Sequence, residues 1–215
     1  MKKAMVVLSG GMDSSTLLAY VSTFREAHAI TIDYGQRHAK EIRSAENVSA
    51  LMAKSWKRRS VELDVPGSAL TDEEVAVPHG HYEDKNMKLT VVPNRNAVLL
   101  SVAVAHAIPI GCVEVYYGAH SGDHAIYPDC RPGFVQAYQE LVRLSDWQPP
   151  RVEAPFLNMN KADILRLGRA LSVPYELTWT CYEGGELSCG KCGACTERLE
   201  AFAEAGLTDP LEYEN

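Results

Sequence analysis

Short apolar runs of strand length alternate with helix-period segments along most of this chain, and that rhythm limits its fold more than any other feature. Residues 4–9 (AMVVLS), 28–34 (HAITIDY), 58–64 (RRSVELD), 112–119 (CVEVYYGA) and 151–156 (RVEAPF) read as strands. Between them, residues 13–24, 38–54 and 132–144 read as helices. A further helix opens at Asn160-Lys161-Ala162-Asp163, with Asn160 as cap and Asp163 completing a capping box, and runs to about Leu171. Residues 96–108 (NAVLLSVAVAHAI) are apolar almost all round, which predicts a buried helix. Parallel strands need a crossover, and a helix is the usual one. The pattern predicts an α/β fold, a parallel sheet with helices on both faces. A chain of 215 residues fits one such domain, residues 1–215.

Two regions break the rhythm. Residues 65–91, with Pro66-Gly67, the acidic Thr71-Asp72-Glu73-Glu74 and Pro78-His79-Gly80-His81, have little periodicity and predict a mobile lid on which His79 and His81 are exposed. Residues 181–198 are rich in Cys and Gly.

A net charge of -7 and a pI near 5.5 weigh against a large nucleic-acid surface, so no nucleic-acid partner is expected. The run Lys57-Arg58-Arg59 reads as a solvated helix end. No apolar stretch approaches the ~20 residues of a membrane span. Met1-Lys2-Lys3 leads into an apolar run too short for a signal-peptide core, so a cytoplasmic location is expected. Six cysteines in that compartment suggest metal binding or chemistry rather than disulfides.

The first strand runs directly into Ser9-Gly10-Gly11-Met12-Asp13-Ser14-Ser15 and then a helix. Adjacent glycines let backbone N–H groups point into a site, the serines add hydroxyls, and the helix start offers its positive end. The stretch therefore reads as a phosphate loop, yet it lacks the lysine of a Walker loop. Three polar clusters also follow strands, where the ligand of such a sheet binds. They are Asp33-Tyr34-Gly35-Gln36-Arg37-His38, Gly118-Ala119-His120-Ser121-Gly122-Asp123-His124, and Tyr127-Pro128-Asp129-Cys130-Arg131. A fourth, Val92-Pro93-Asn94-Arg95-Asn96, precedes the apolar helix, with Asn94 and Asn96 as amide readers of a heterocycle edge. His120 and His124 read as polar pocket residues more readily than as metal ligands, and Cys130 as a small buried residue.

Cys181, Cys189, Cys192 and Cys195 follow the spacing C-x7-C-x2-C-x2-C. Four thiolates suit a closed tetrahedral zinc site, whose role is structural because it keeps no open position. An iron–sulfur cluster is the competing reading of C-x2-C-x2-C.

The loop resembles the SGGxDS signature of the PP-loop (N-type) ATP-pyrophosphatases. In that family the loop holds the β- and γ-phosphates as leaving pyrophosphate while a substrate oxygen attacks the α-phosphate. This accounts for the missing Walker lysine, which serves transfer at the γ-phosphate. Taken with DYGQRH, VPNRN, YPDCR and the cysteines, nearly the whole chain resembles the QueC family of 7-cyano-7-deazaguanine (preQ0) synthases. His120 stands where many members carry Asn, and Ala125-Ile126 where many carry Ser-Gly.

The resemblance implies an adenine-nucleotide alpha-hydrolase-like (HUP) doubly wound parallel sheet with a C-terminal four-cysteine zinc-binding segment, 181–198. It implies a ligase of queuosine and 7-deazapurine biosynthesis, with ATP, ammonia and 7-carboxy-7-deazaguanine as partners. ATP adenylates the carboxylate, ammonia displaces AMP, a second ATP activates the amide oxygen, and loss of AMP leaves the nitrile. One structural Zn²⁺ per chain is implied, and Mg²⁺ with ATP, which Asp13 helps to hold. Catalytic roles fall to Asp13, Lys161 and Arg95. ATP binding falls to Leu8, to the loop Ser9, Gly10, Gly11, Met12, Asp13, Ser14 and Ser15, and to Asp33 and Gln36. Substrate binding falls to Asn94, Asn96, His120, Asp123, Tyr127, Asp129 and Arg131. Read locally, Lys161 is merely exposed at its helix start. A homodimer is left open. The alternatives are a QueC-like enzyme that transfers the deazaguanine acyl group to a protein amine, and another PP-loop ligase acting on tRNA. Ranked last is a nucleotide-binding module that grips a macromolecule through its cysteine knuckle.

Overall fold

A computed structural model describes residues 1–63, 65–81 and 85–214, Lys85 by its backbone alone. Among these residues the strands are β1 (Lys3–Val7), β2 (Glu26–Asp33), β3 (Ser55–Ser60), β4 (Cys112–Tyr116) and β5 (Arg151–Glu153). The α-helices are α1 (Met12–Ser22), α2 (Lys40–Met52), α3 (Arg95–Ala107), α4 (Pro132–Arg143), α5 (Lys161–Ala170) and α6 (Gly193–Glu204). The strands form one parallel sheet in the order β3-β2-β1-β4-β5. β1 is central, with Val6 opposite Ala29 on one side and Tyr116 on the other.

Side-chain alternation along the strands supplies two cores. Met5, Ile30 and Val115 face Leu100 and Val104 of α3 and Tyr138 and Val142 of α4. Ala4, Val6 and Ala29 face Leu17 and Leu18 of α1, Ala45 and Val48 of α2 and Ile164 of α5. Helices thus cover both faces, as the alternating pattern predicts. α6 packs onto this second layer, joining Ala201 and Phe202 to Leu165 of α5 and to Tyr175.

Several elements differ from the sequence expectation. The third strand begins at Ser55 rather than residue 58, because Trp56 anchors it: the indole N–H donates to Thr31 Oγ1 at 2.8 Å. Lys57-Arg58-Arg59 consequently lies on this exposed edge strand, not at a helix end. α3 buries only the stripe Asn96, Leu100, Ala103, Val104 and Ala107, while Ser101 and Ala105 are exposed, since one side of it meets no further layer. α6 continues directly from the last cysteines, an extension that the Cys/Gly reading of 181–198 obscures.

The segment 65–91 is not structureless where it is described. Ala69, Leu70, Val77 and Met87 are buried, Arg37 Nη2 donates to the Asp72 and Val75 carbonyls, and His79 bridges to Cys192. His79 and His81 are exposed and paired with Glu183 and Glu200. Residues 82–84 of the expected lid lie outside the described residues. Asn160 caps α5 by accepting the Asp163 N–H at 2.8 Å, but the Asp163 carboxylate accepts from Arg166 instead of closing the box.

Candidate active site and metal centre

Sheet order reverses between β1 and β4, and a cavity of about 220 Å³ opens there at their carboxyl ends. The Ser9-Gly10-Gly11 turn between β1 and α1 forms its floor. Gly10 takes φ +95°, and a Cβ on it would lie 2.1 Å from the Glu41 carbonyl oxygen of α2. Only glycine lets the turn pack so closely there. Gly11 caps α1 with no side-chain bond, so first-turn N–H groups are left for an external acceptor. Ser9 and Ser14 hold the loop's shape: their hydroxyls are 3.0 Å apart, and Gly11 N donates to Ser9 Oγ at 3.2 Å.

Charged groups from four separate segments meet beside this turn. Asp13 Oδ2 lies 3.4 Å from Lys161 Nζ and 3.6 Å from His120 Nε2, which is itself 3.5 Å from Asp123 Oδ2. Lys161 also donates to Glu197 of α6. Burial alone would raise Asp13, but Lys161 and His120 outweigh it and hold the carboxyl well below the usual carboxylate range. Burial likewise opposes the charge on Lys161, and Asp13 and Glu197 prevail to push that ammonium up. Glu197 moves the other way, raised by burial despite Lys161. His120 Nδ1 accepts the Gly122 N–H at 3.1 Å, which leaves its proton on Nε2 facing the carboxylates. Burial resists a second proton and Asp123 and Asp13 favour one, but it would have to sit on Nδ1, where it would break the bond from Gly122.

The opposite wall is aromatic. Arg95 Nη1 donates to the Tyr34 hydroxyl at 3.2 Å, and the Tyr127 hydroxyl lies 2.7 Å from Thr90 Oγ1 and 3.4 Å from the Tyr182 hydroxyl. Asn96 of α3 makes three bonds to one segment: its backbone N–H donates to Asp129 Oδ2 at 2.9 Å, and its amide to the Asp129 carbonyl at 3.3 Å and Cys130 Sγ at 3.2 Å.

Of the expected ATP-binding residues, Ser9, Gly11, Met12, Asp13 and Ser14 line the cavity. Leu8 and Ser15 are buried behind the turn, and Gly10 faces α2. Asp33 binds Arg58 and the Gly35 N–H, while Gln36 bridges the Tyr34 N–H and Glu41. Asn96, Asp123, Tyr127, Arg95 and Lys161 also line it. His120 stands just behind, against Asp13. Asn94 is the exposed, left-handed cap of α3, Asp129 serves Asn96, and Arg131 donates to the His124 carbonyl. Lys161 is only 11% exposed, which overturns its local reading as a surface residue. Sequence reasoning missed Glu41, Trp179, Tyr182 and Glu197 in the wall. Only an amphipathic reading of residues 193–204 would have pointed to Glu197. The Cys130 thiol is buried, and burial raises it out of the nucleophilic range.

Cys181, Cys189, Cys192 and Cys195 are all buried, and their sulfurs lie within 4.8 Å of one another. A tetrahedron with bonds of ~2.3 Å to sulfur has edges of ~3.8 Å, so the four thiols fit a single metal ion. Backbone N–H groups of Cys189 and Cys192 donate to Cys181 Sγ and Cys189 Sγ, each at 3.3 Å, as a thiolate cluster requires. Gly190 takes φ +72°, the tight turn between the second and third cysteines. Among the described residues, no helix is long and apolar enough to cross a membrane.

Over 215 residues the chain is 53% identical to the 7-cyano-7-deazaguanine synthase of Methanoregula boonei, covering 99% of each chain. It is 50% identical to that of Caldicellulosiruptor bescii, covering 99% of this chain and 97% of the relative. Among solved structures, NMN synthetase from Francisella tularensis superposes with a TM-score of 0.50 at 14% identity, over 96% of this chain and 78% of that one, a likeness of fold alone. The family model described as "Queuosine biosynthesis protein QueC" matches residues 3–206, and the chain belongs to that family.

Proposed function

We propose that the chain is a 7-cyano-7-deazaguanine synthase, a ligase that uses ATP and ammonia to turn 7-carboxy-7-deazaguanine into the nitrile. The observation that carries this reading is the meeting of Asp13, Lys161 and Glu197 beside an uncapped helix start. First-turn N–H groups of α1 suit the β- and γ-phosphates. Lys161, fixed between two carboxylates, stands ready to meet the charge that grows on the α-phosphate when a substrate oxygen attacks. A lysine at that place supports diphosphate, not orthophosphate, as the leaving group.

Asp13 is the residue to hold Mg²⁺, since its carboxylate stays ionised and oxygen donors suit that ion. His120 orients Asp13 and Asp123 through Nε2. Asn96, Asp123 and Tyr127 are the substrate readers, with Asp129 fixing Asn96; Asn94 and Arg131 shape the loops that carry them. Leu8, Gly10, Ser15, Asp33 and Gln36 act on ATP through the backbone they hold in place. Ammonia adds to the adenylated acid, and the amide so formed is adenylated in turn at its oxygen. Amide oxygen leaves poorly until it becomes a phosphate ester, which is why a second ATP is needed. Zinc is the metal for the four cysteines, where it would pin the start of α6 and so Glu197. A homodimer is compatible with the scheme.

Incubation with ATP, Mg²⁺, ammonia and 7-carboxy-7-deazaguanine should yield AMP, diphosphate and a free nitrile by mass spectrometry. ADP with orthophosphate, or deazaguanine attached to polypeptide, would refute the assignment.

A further inference from the structure

Arg95 is a partly buried charge in the cavity wall that no carboxylate neutralises among the described residues. Its guanidinium carbon lies 5.7 Å from the Tyr34 ring centre and 6.0 Å from that of Tyr127. Nη1 donates to the Tyr34 hydroxyl, while Nε is buried and without a partner. Among the described residues no carboxylate pairs with it. A guanidinium does not lose its proton in a protein, and leaving it buried and unpaired is costly.

Two other arginines of the same chain show how that cost is met. Arg25 presents Nε and Nη2 to the two oxygens of Glu114 at 2.6 and 3.0 Å. Arg198 presents the same edge to Asp209 at 2.6 and 2.9 Å. In both, the Nε–Nη2 edge takes one whole carboxylate, the planar fork that makes such pairs strong. At Arg95 that edge bonds to no group among the described residues, although the side chain lines the cavity.

We infer that Arg95 is the receptor for the carboxylate of a flat heteroaromatic acid, gripped by the Nε–Nη2 edge with the ring among Tyr34, Tyr127 and Tyr182. This rests on the proposed reaction and deepens it. The phosphates of a nucleotide have other partners, the α1 amides and Lys161. Phenol rings around Arg95 suit a planar substrate better than a tetrahedral phosphate. Tyr182 directly follows the first metal-ligating cysteine, so the metal centre braces this wall as well. The grip distinguishes the two halves of the reaction, because the acid is an anion and the amide is neutral.

The test compares wild type with Arg95→Gln on two substrates supplied separately, 7-carboxy-7-deazaguanine and its carboxamide, each with saturating ATP, following AMP release. The variant should raise KM for the acid about a hundredfold or more, the loss expected when one member of a buried charge pair is removed. Its kcat/KM on the amide should fall about tenfold or less, the value of one neutral hydrogen bond. Equal losses on both substrates, or no loss on either, overturn the inference. Amide turnover reports that the variant is folded. Should Arg95→Gln fail to fold, Arg95→Lys keeps the charge without the fork, and the same one-sided loss is required of it. A wild-type protein that converts neither compound refutes the proposed reaction instead.

Discussion

The ammonium of Lys161 lies 3.4 Å from Asp13 Oδ2, joining the start of α5 to the first turn of α1 across the end of the sheet. Each group holds the other charged inside a site that burial would otherwise neutralise. Asp13→Asn should lower diphosphate release about a thousandfold, the scale of losing a preorganised transition-state contact. Metal content should stay unchanged, because the four sulfurs belong to a separate cluster. Activity retained by this variant would show that the reacting centre lies elsewhere.

The two loop glycines should differ. Gly10→Ala places a Cβ 2.1 Å from the Glu41 carbonyl and 2.6 Å from Ala45 N, at a φ that alanine resists. A loss of about 3 kcal/mol or more is expected, from overpacking and backbone strain together. Gly11→Ala meets nothing closer than Ser9 Oγ at 3.3 Å and should cost about 1 kcal/mol or less. Urea denaturation of the pair measures the difference.

Cys192 belongs to the four-cysteine cluster and also caps α6, the helix that delivers Glu197. Cys192→Ser should abolish the bound metal, measured as less than one zinc per chain by mass spectrometry, and lower Tm by several degrees. Iron with bridging sulfide in the wild type would contradict the zinc assignment while leaving the cluster geometry intact.

Glu114 is a buried carboxylate that accepts from Arg25 and Arg151. The bond from Arg25 outweighs burial and draws its pKa below the ordinary 4.5. A carboxyl depressed by folding stabilises the protein above its unfolded value and loses that contribution as the pH falls through the folded one. Glu114→Gln should cost about 2 kcal/mol at pH 7, chiefly from Arg25 left without its carboxylate, because Arg151 is exposed and keeps Glu153. Below pH 4.5 the gap from wild type should shrink. A gap that stays constant as the pH is lowered through the acid range would show that the pair carries no linkage.

The succession of strands was legible in residues because apolar runs such as 4–9 and 112–119 are largely buried and carry no competing signal. Edge strand β3 begins three residues before its pattern suggests, since an exposed strand shows no burial pattern and its anchor is a single bond from Trp56 to Thr31. The turn from Ser9 to Ser15 and the four cysteines were legible for another reason. Both are local devices, whose spacing along the chain is itself the geometry.

What the sequence determined alone was thus the alternating architecture, the glycine turn after β1 and the cysteine set, each a property of neighbouring residues. Tertiary structure decided the rest. It brought Lys161, His120 and Glu197 around Asp13, buried a lysine that local reading leaves in solvent, and left Arg95 among tyrosines with no carboxylate of its own among the described residues. Such relations depend on which strand ends lie side by side. That is fixed by packing both faces of one sheet at once, a condition no single segment carries.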